Sequence, residues 1–462
     1  MKGRLVSLSL AGSVAALSLF QIEIASSQFA GGGGGFGFNA SDPGVRGGAA
    51  GAGGPIAGLD SPVFRGEAAL FADGLDTFGE VDEVADGLGP RMNLDSCAGC
   101  HAQPATGGSS PFVNPQVAFT NKDGGTDKAP AFISPNGPVR EARFVKNSDG
   151  TPDGGVHDLF TITGRAGANG CTLAQPDFGT VLRNNNVIFR IPTPTFGAGL
   201  IEQIPDSTIL ANQAANASQK QALGIGGRTN TVPITGETNN NGNDGTIARF
   251  GWKAQNKSLL LFSGEAYNVE QGISNEIFQT EREEDPHCQF KNVPNDFTDG
   301  SKADPRSDVE RFAVFMRFLA PPAPSATSPG GAQSISNGRN LFSSVGCALC
   351  HTPTLMTNPK SQVTALSGQA ANLYSDLLVH DMGDGLADGV SQGQAGPREF
   401  RTAPLWGVGQ RVFFLHDGRT ADILRAVQQH ASNGSEANGV INNFNNLGER
   451  SKQDLLNFLR SL

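Results

Sequence analysis

The sequence predicts a mainly α-helical fold with long loops and a few short strands. Three observations carry this. First, Phe312, Phe315, Met316 and Leu319 repeat at i, i+3, i+4 and i+7 behind a capping box formed by Ser307 and Glu310, which marks an amphipathic helix. Second, 61 of 462 residues are glycine, nearly twice the usual ~7%, so much of the chain is loop. Third, the clearest strand, residues 187–191 (VIFRI), is stopped at once by Pro192 and Pro194.

Taken in order, the chain opens with Lys2 and Arg4, an apolar run over 5–20, and small residues at 25–27. This pattern predicts a signal peptide over 1–27 and hence a periplasmic or secreted protein. The alternative is an uncleaved anchor, but the apolar run falls short of the ~20 residues of a span and Glu23 interrupts its extension. Residues 28–60 are Gly- and Ala-rich and read as a flexible tether, because such a segment buries too little apolar surface to offset its ordering entropy. A first domain is expected over 61–320, with Phe64, Ala68 and Phe71 on one helix face and a short helix over 206–210 capped by Asp206 or Ser207. Residues 238–245 (TNNNGNDG) read as a surface loop. The run 321–333 (PPAPSATSPGGAQ) reads as a linker, and 334–462 as a second domain. In that domain Thr420 is the expected cap of a helix carrying Ile423, Val427 and His430 on one face. The last helix, over 452–462, presents Leu455, Leu456, Phe458 and Leu459.

Composition removes several function classes. Hydrophobic residues make up 38%, with 29 Phe, enough for real cores. A net charge of −10 repels phosphate backbones and anionic lipid, so no nucleic-acid partner is expected, and no membrane insertion once the leader is cleaved.

The chemistry concentrates in the cysteines. Cys97, Cys100 and His101, and again Cys347, Cys350 and His351, spell C-x-x-C-H. This is the attachment pattern of c-type haem: two thiols one turn apart take the vinyl groups, and the adjacent His reaches the iron. A single C-x-x-C also suits a redox pair or half a zinc site, but two copies each followed by His, in an exported chain, favour two covalently bound haem c groups. Cys171 and Cys288 remain, and an oxidising compartment favours a disulfide between them over a reactive thiol pair.

Several stretches resemble the bacterial di-haem oxidoreductase family, which is peroxidase-like and often labelled thiol oxidoreductase. They are GLGPRMNLDSCAGCH (87–101), VHDLFTITGR (156–165), RIPTPTFGAGLIEQIPD (190–206), RFGWKA (249–254), GCALCHTPTL (346–355), YSDLLVHDMGDGLADG (374–389) and FRTAPLWGVGQRVFFLHDGR (400–419). More distantly the chain is similar to di-haem cytochrome c peroxidases. The resemblance implies two cytochrome c-like domains, an N-terminal haem that meets oxidant and a C-terminal haem that passes electrons.

Sixth ligands decide the chemistry, because an iron with two strong axial ligands only moves electrons. For the C-terminal haem, the resemblance places a ligand 14 positions after the histidine of an LHDG-like turn, here His416, which selects His430. His380 and Met382 are the alternatives, and capping of a helix end is the plainer role for His430. For the N-terminal haem the next histidine is His157, so the site either stays open or is closed from afar. The resemblance makes Trp252 an inter-haem relay and puts Phe262 and Glu270 in the distal pocket. Their ordinary roles would be core for Trp252 and Phe262 and solvated surface for Glu270. The acidic, glycine-rich run 381–388 offers carboxylates of the kind calcium takes, without EF-hand spacing; a loop at the haem edge is the other reading.

The leading expectation is therefore an enzyme taking electrons from a small redox protein and passing them to peroxide or a similar small oxidant. A non-enzymatic electron-transfer cytochrome is the main alternative. An oxygenase-type activity and a thiol oxidoreductase are further ones, the last disfavoured because haem would consume the C-x-x-C thiols.

Overall fold

The computed structural model describes residues 38–47, 51–89, 92, 94–120, 129–152, 156–157, 165–172, 176–231, 247–281 and 285–462, with 156–157 described in backbone only. The signal-peptide segment 1–27, the first ten residues of the expected tether and the loop 238–245 lie outside these. Of the unit Met1–Phe38 only Phe38 is described; Asn39–Leu462 form one compact unit.

Helices dominate, as expected. Asp308–Phe318 begins at the expected capping box, with Ser307 accepting from the Glu310 N–H and Glu310 accepting from the Ser307 N–H. It buries Phe312, Phe315 and Met316 against helices Arg65–Phe78 and Leu259–Gln271. Phe315 is fully buried, with its ring 4.7 Å from Phe78 and 5.5 Å from Phe71. Burying such a ring contributes roughly 1.5–3 kcal/mol. The core formed there also takes in Leu355, Leu373, Leu377 and Trp406 from the far side of residues 321–333. A second core joins helix Gly331–Ser344 to helix Glu449–Ser461 through Phe342, Leu455 and Phe458.

Strands are few and short. Glu141–Phe144 is the centre of a three-stranded antiparallel sheet between Val156–His157 and Val187–Arg190, with Glu141 opposite Arg190. A two-stranded ribbon pairs Val379–Asp381 with Glu399–Arg401.

Four expectations need correction. Residues 39–60, where described, are docked rather than loose. Asp42 takes both Nε (2.8 Å) and Nη2 (2.6 Å) of the buried Arg460, Ile56 N–H donates to Phe318 O (2.8 Å), and Leu59 is fully buried. A few specific side chains outweigh the entropy that the glycine content implies, and Gly44, at φ +85°, makes the turn beside Asp42. In the expected linker, helix Gly331–Ser344 begins before residue 333, and Ser325 N–H is tied to Ser461 O (2.7 Å). Asp206 does not cap its helix: Asp206–Ala214 has no side-chain cap, because the Asp206 carboxylate instead pairs with the buried Arg249 and accepts from Ile247 N–H (3.2 Å). Finally, Asp422, not Thr420, caps helix Ile423–Gln428, which stops two residues before His430.

Candidate functional site

The two C-x-x-C-H motifs line two separate clefts. The first encloses ≈ 1300 Å³ of space, its open mouth included, and is lined by Cys97, Cys100, His101, Trp252, Phe262 and Glu270, among others. Its C-x-x-C is a single helical turn, Cys97–Cys100. The following chain folds back through Gly107 (φ +89°), where a Cβ would meet Leu319 and Thr195 at 2.3 and 2.9 Å. That turn sets the Gly108 carbonyl 3.0 Å from His101 Nδ1. A carbonyl only accepts, so the bond fixes the proton on Nδ1 and leaves the Nε2 lone pair available.

The second cleft, ≈ 1340 Å³ on the same measure, holds Cys347, Cys350, His351, His380, Met382, His416 and His430. His351 Nδ1 donates to Tyr374 O at 3.0 Å, and His430 Nδ1 to Ala426 O at 2.8 Å. His430 thus does satisfy a helix-end carbonyl, and by doing so frees its own Nε2. The two rings lie 6.5 Å apart, centre to centre. Two imidazoles on one metal at ~2.0–2.1 Å bonds have ring centres roughly 6–6.5 Å apart. Burial, reinforced by the neighbouring His430, drives the His351 pKa down to about 4; burial lowers His430 as well. Both rings are neutral near pH 7, the form a metal takes.

The rival His380 is otherwise engaged. Nδ1 faces Glu436 at 2.7 Å and Nε2 faces Asp376 at 3.0 Å. Burial opposes its charge, but the buried Asp376 carboxylate beside Nε2 favours it, and the pKa is raised well above normal. An imidazolium clamped on both nitrogens has no lone pair for a metal. Cys350, Asp376 and His380 lie close enough to hold an ion, but this arrangement consumes the histidine.

The wall between the clefts carries buried charge. Trp252 lines both, donating from Nε1 to Ile191 O (3.0 Å). Next to it in sequence, Lys253 is fully buried, 3.2 Å from Asp388, which also pairs with the buried Arg190. Phe400 accepts Lys253 Nζ 4.0 Å from its ring centre and stacks on His416 at 4.3 Å. His416, its pKa pushed well down by burial and by Arg190, is a packing group here. The carboxylates of 381–388 are likewise taken by basic partners: Asp381 and Asp384 by Arg398, Asp388 by Arg190 and Lys253. Phe262 stacks on Phe250 at 5.9 Å at the edge of the first cleft.

Both clefts fit a covalently held haem. Cys97, Cys100, Cys347 and Cys350 are free of disulfides and line the clefts, and each motif histidine aims an unprotonated Nε2. Burial raises the Cys97 and Cys100 thiols and drives Cys347 up to about 12, so these are thiols without thiolate character, unlike those of redox enzymes. Cys171 and Cys288 form the expected disulfide, across 117 residues of chain. The side chain of His157 lies outside the described residues. The sequence assigns no individual role to Arg190, Lys253 or Phe400, though each lies in a stretch that carries the resemblance, and Asp388 falls in the run read as a haem-edge loop; what the sequence leaves illegible is their mutual pairing, which joins segments far apart in the chain.

Residues 151–462, more than half the chain, match the family described as "Di-haem oxidoreductase, putative peroxidase". The second C-x-x-C-H motif falls inside the matched residues and the first precedes them. No curated protein matches the chain. Among solved structures it is similar to Kuenenia stuttgartiensis hydrazine synthase pressurised with 20 bar xenon, at 16% identity and a TM-score of 0.22, covering 36% of this chain and 59% of that one. Among the described residues no helix is long and apolar enough to cross a membrane.

Proposed function

Because the chain belongs to the di-haem oxidoreductase family, we propose that it is an exported di-haem c-type oxidoreductase in which a C-terminal haem passes electrons to an N-terminal haem that meets peroxide or a similar oxidant. Residues 1–27 act as the signal peptide, and 61–320 and 334–462 as the two cytochrome c-like haem domains. A small redox protein supplies the electrons.

One observation carries the division of labour. His351 and His430 line the second cleft with their rings 6.5 Å apart, whereas His101 is the one histidine lining the first among the described residues. Bound haem supplies one-electron exchange, and where a coordination position is accessible, a place for oxidant. Cys347 and Cys350 would hold the C-terminal group, and His351 and His430 would supply its nitrogen donors. Cys97 and Cys100 hold the N-terminal group, with His101 oriented by Gly108. Trp252, in the wall common to both clefts, is the relay between them. Phe262 keeps the first cleft apolar at its edge.

Stopped-flow mixing of the fully reduced protein with hydrogen peroxide tests this. Peroxide takes two electrons and two protons to give two waters, so one equivalent oxidises both haems of one molecule. That stoichiometry supports the proposal. Reduced haems indifferent to peroxide would instead make the protein an electron-transfer cytochrome.

A further inference from the structure

We propose that Glu270 is the resting-state axial partner of His101: a carboxylate ligand that occupies the oxidant's position on the N-terminal haem and is displaced when oxidant arrives. This rests on the reading of the first cleft as a haem site.

Three glutamates line that cleft, and two are spoken for. Glu141 accepts from Arg143 Nε at 2.8 Å. Glu265 accepts from Asn256 and, at 3.2 Å, from Gln255. Glu270, near the end of helix Leu259–Gln271, has no hydrogen-bond partner among the described residues. Its carboxylate is partly exposed, at 39%, and Oε2 stands 3.9 Å from His101 Nε2.

That separation is informative. It is too long for a hydrogen bond, which needs ~2.7–3.2 Å. It matches two donors on opposite sides of one metal, where bonds of ~2.0–2.2 Å from imidazole nitrogen and carboxylate oxygen place the donors roughly 4 Å apart. The His101 nitrogen that faces Glu270 is the one left unprotonated by the Gly108 bond. Arg143 lies within electrostatic reach of Glu270 and gives the displaced carboxylate a counter-charge.

A carboxylate is a hard, anionic donor. It favours ferric over ferrous iron and yields to a better ligand more readily than imidazole does. The first cleft would therefore be closed at rest and opened by ligand exchange, with no net transfer of electrons in that step. The C-terminal cleft, held by two neutral imidazoles, has no such exit.

The test uses the purified di-haem holoprotein. Glu270→Ala should change the resting ferric spectrum and paramagnetic resonance of the N-terminal haem alone. It should tighten azide binding there by roughly tenfold or more, because the competing ligand is gone, and should shift that haem's midpoint potential upwards. Added formate should restore the resting spectrum. Glu270→Gln, which preserves size but not charge, should give the same upward shift, and it serves if the alanine variant loads haem poorly. An unchanged spectrum with azide affinity within about twofold of wild type overturns the assignment. So does a variant that loses only peroxide turnover, which would make Glu270 a proton-transfer group. A low-spin signal of His/Met type in the wild type, with Met92 or Met316 as ligand, also overturns it. A holoprotein with no haem on Cys97 and Cys100 would instead refute the underlying reading of the cleft.

Discussion

Asp388→Asn is the sharpest probe of the wall between the clefts. The substitution keeps size and removes one charge. Asp388 is 1% exposed and is the counter-ion of two cations, Arg190 at 3% and Lys253 at 0%. Breaking a buried pair by removing one partner costs about 3–5 kcal/mol, because it leaves an uncompensated charge. Arg190 cannot relieve this by losing its proton. Lys253 can: burial, partly offset by Asp388, holds its pKa at about 8. An unfolded lysine sits near ~10.4. Between these values the unfolded chain binds more protons, so wild-type stability rises with pH from about 8 to ~10.4. At ~1.36 kcal/mol per pH unit the rise amounts to about 3 kcal/mol. Without Asp388 the Lys253 pKa falls further, and the rise begins at lower pH. Urea melts at about pH 7, 8 and 9.5 read both effects. A variant within about 1 kcal/mol of wild type, with an unmoved pH profile, would refute the view that this network is a buried, mutually dependent charge cluster.

Other expectations follow from the same geometry. Replacing both Cys171 and Cys288 by Ser opens a closure spanning 117 residues, and should cost about 4–5 kcal/mol in oxidising denaturation and nothing under reduction. Ser307→Ala removes one half of the capping box and should cost about 1 kcal/mol, read as a lowered melting temperature. Burial pushes Asp82 up to about 7, despite hydrogen bonds from Tyr267 and Gln271. A raised carboxyl stabilises most below its unfolded value and loses that contribution as pH climbs through its folded one. Asp82→Asn should therefore flatten the fall in stability between about pH 4 and 7; an unchanged slope would assign that fall to other groups.

What could be read from the sequence was local or patterned. The capping box of Ser307 and Glu310 acts within one turn, so it appears in the fold as expected. The C-x-x-C-H motifs carry their own geometry, and Cys171 pairs with Cys288. What was not legible depends on partners far along the chain. Asp42 and Arg460 are 418 residues apart, and their bond turns an apparent tether into a docked segment. Asp206 leaves its cap because Arg249 competes for it. Glu265 and Glu270 look alike in sequence, yet Asn256 and Gln255 engage the first and leave the second facing His101. His430 lies past the end of helix Ile423–Gln428 rather than on the helix face expected with Ile423 and Val427, and the turn after Gln428 is what brings its ring to the second cleft.

Under the proposed assignment the two haems differ in ligation: imidazole on both sides of the C-terminal iron, and a displaceable position at the N-terminal one. Electron paramagnetic resonance of the diferric holoprotein, wild type beside His430→Ala, tests it most directly. One low-spin signal that disappears in the variant, together with one high-spin signal that persists and changes on adding peroxide, is the expected result. A low-spin signal untouched by His430→Ala, or two low-spin signals indifferent to peroxide, would contradict it.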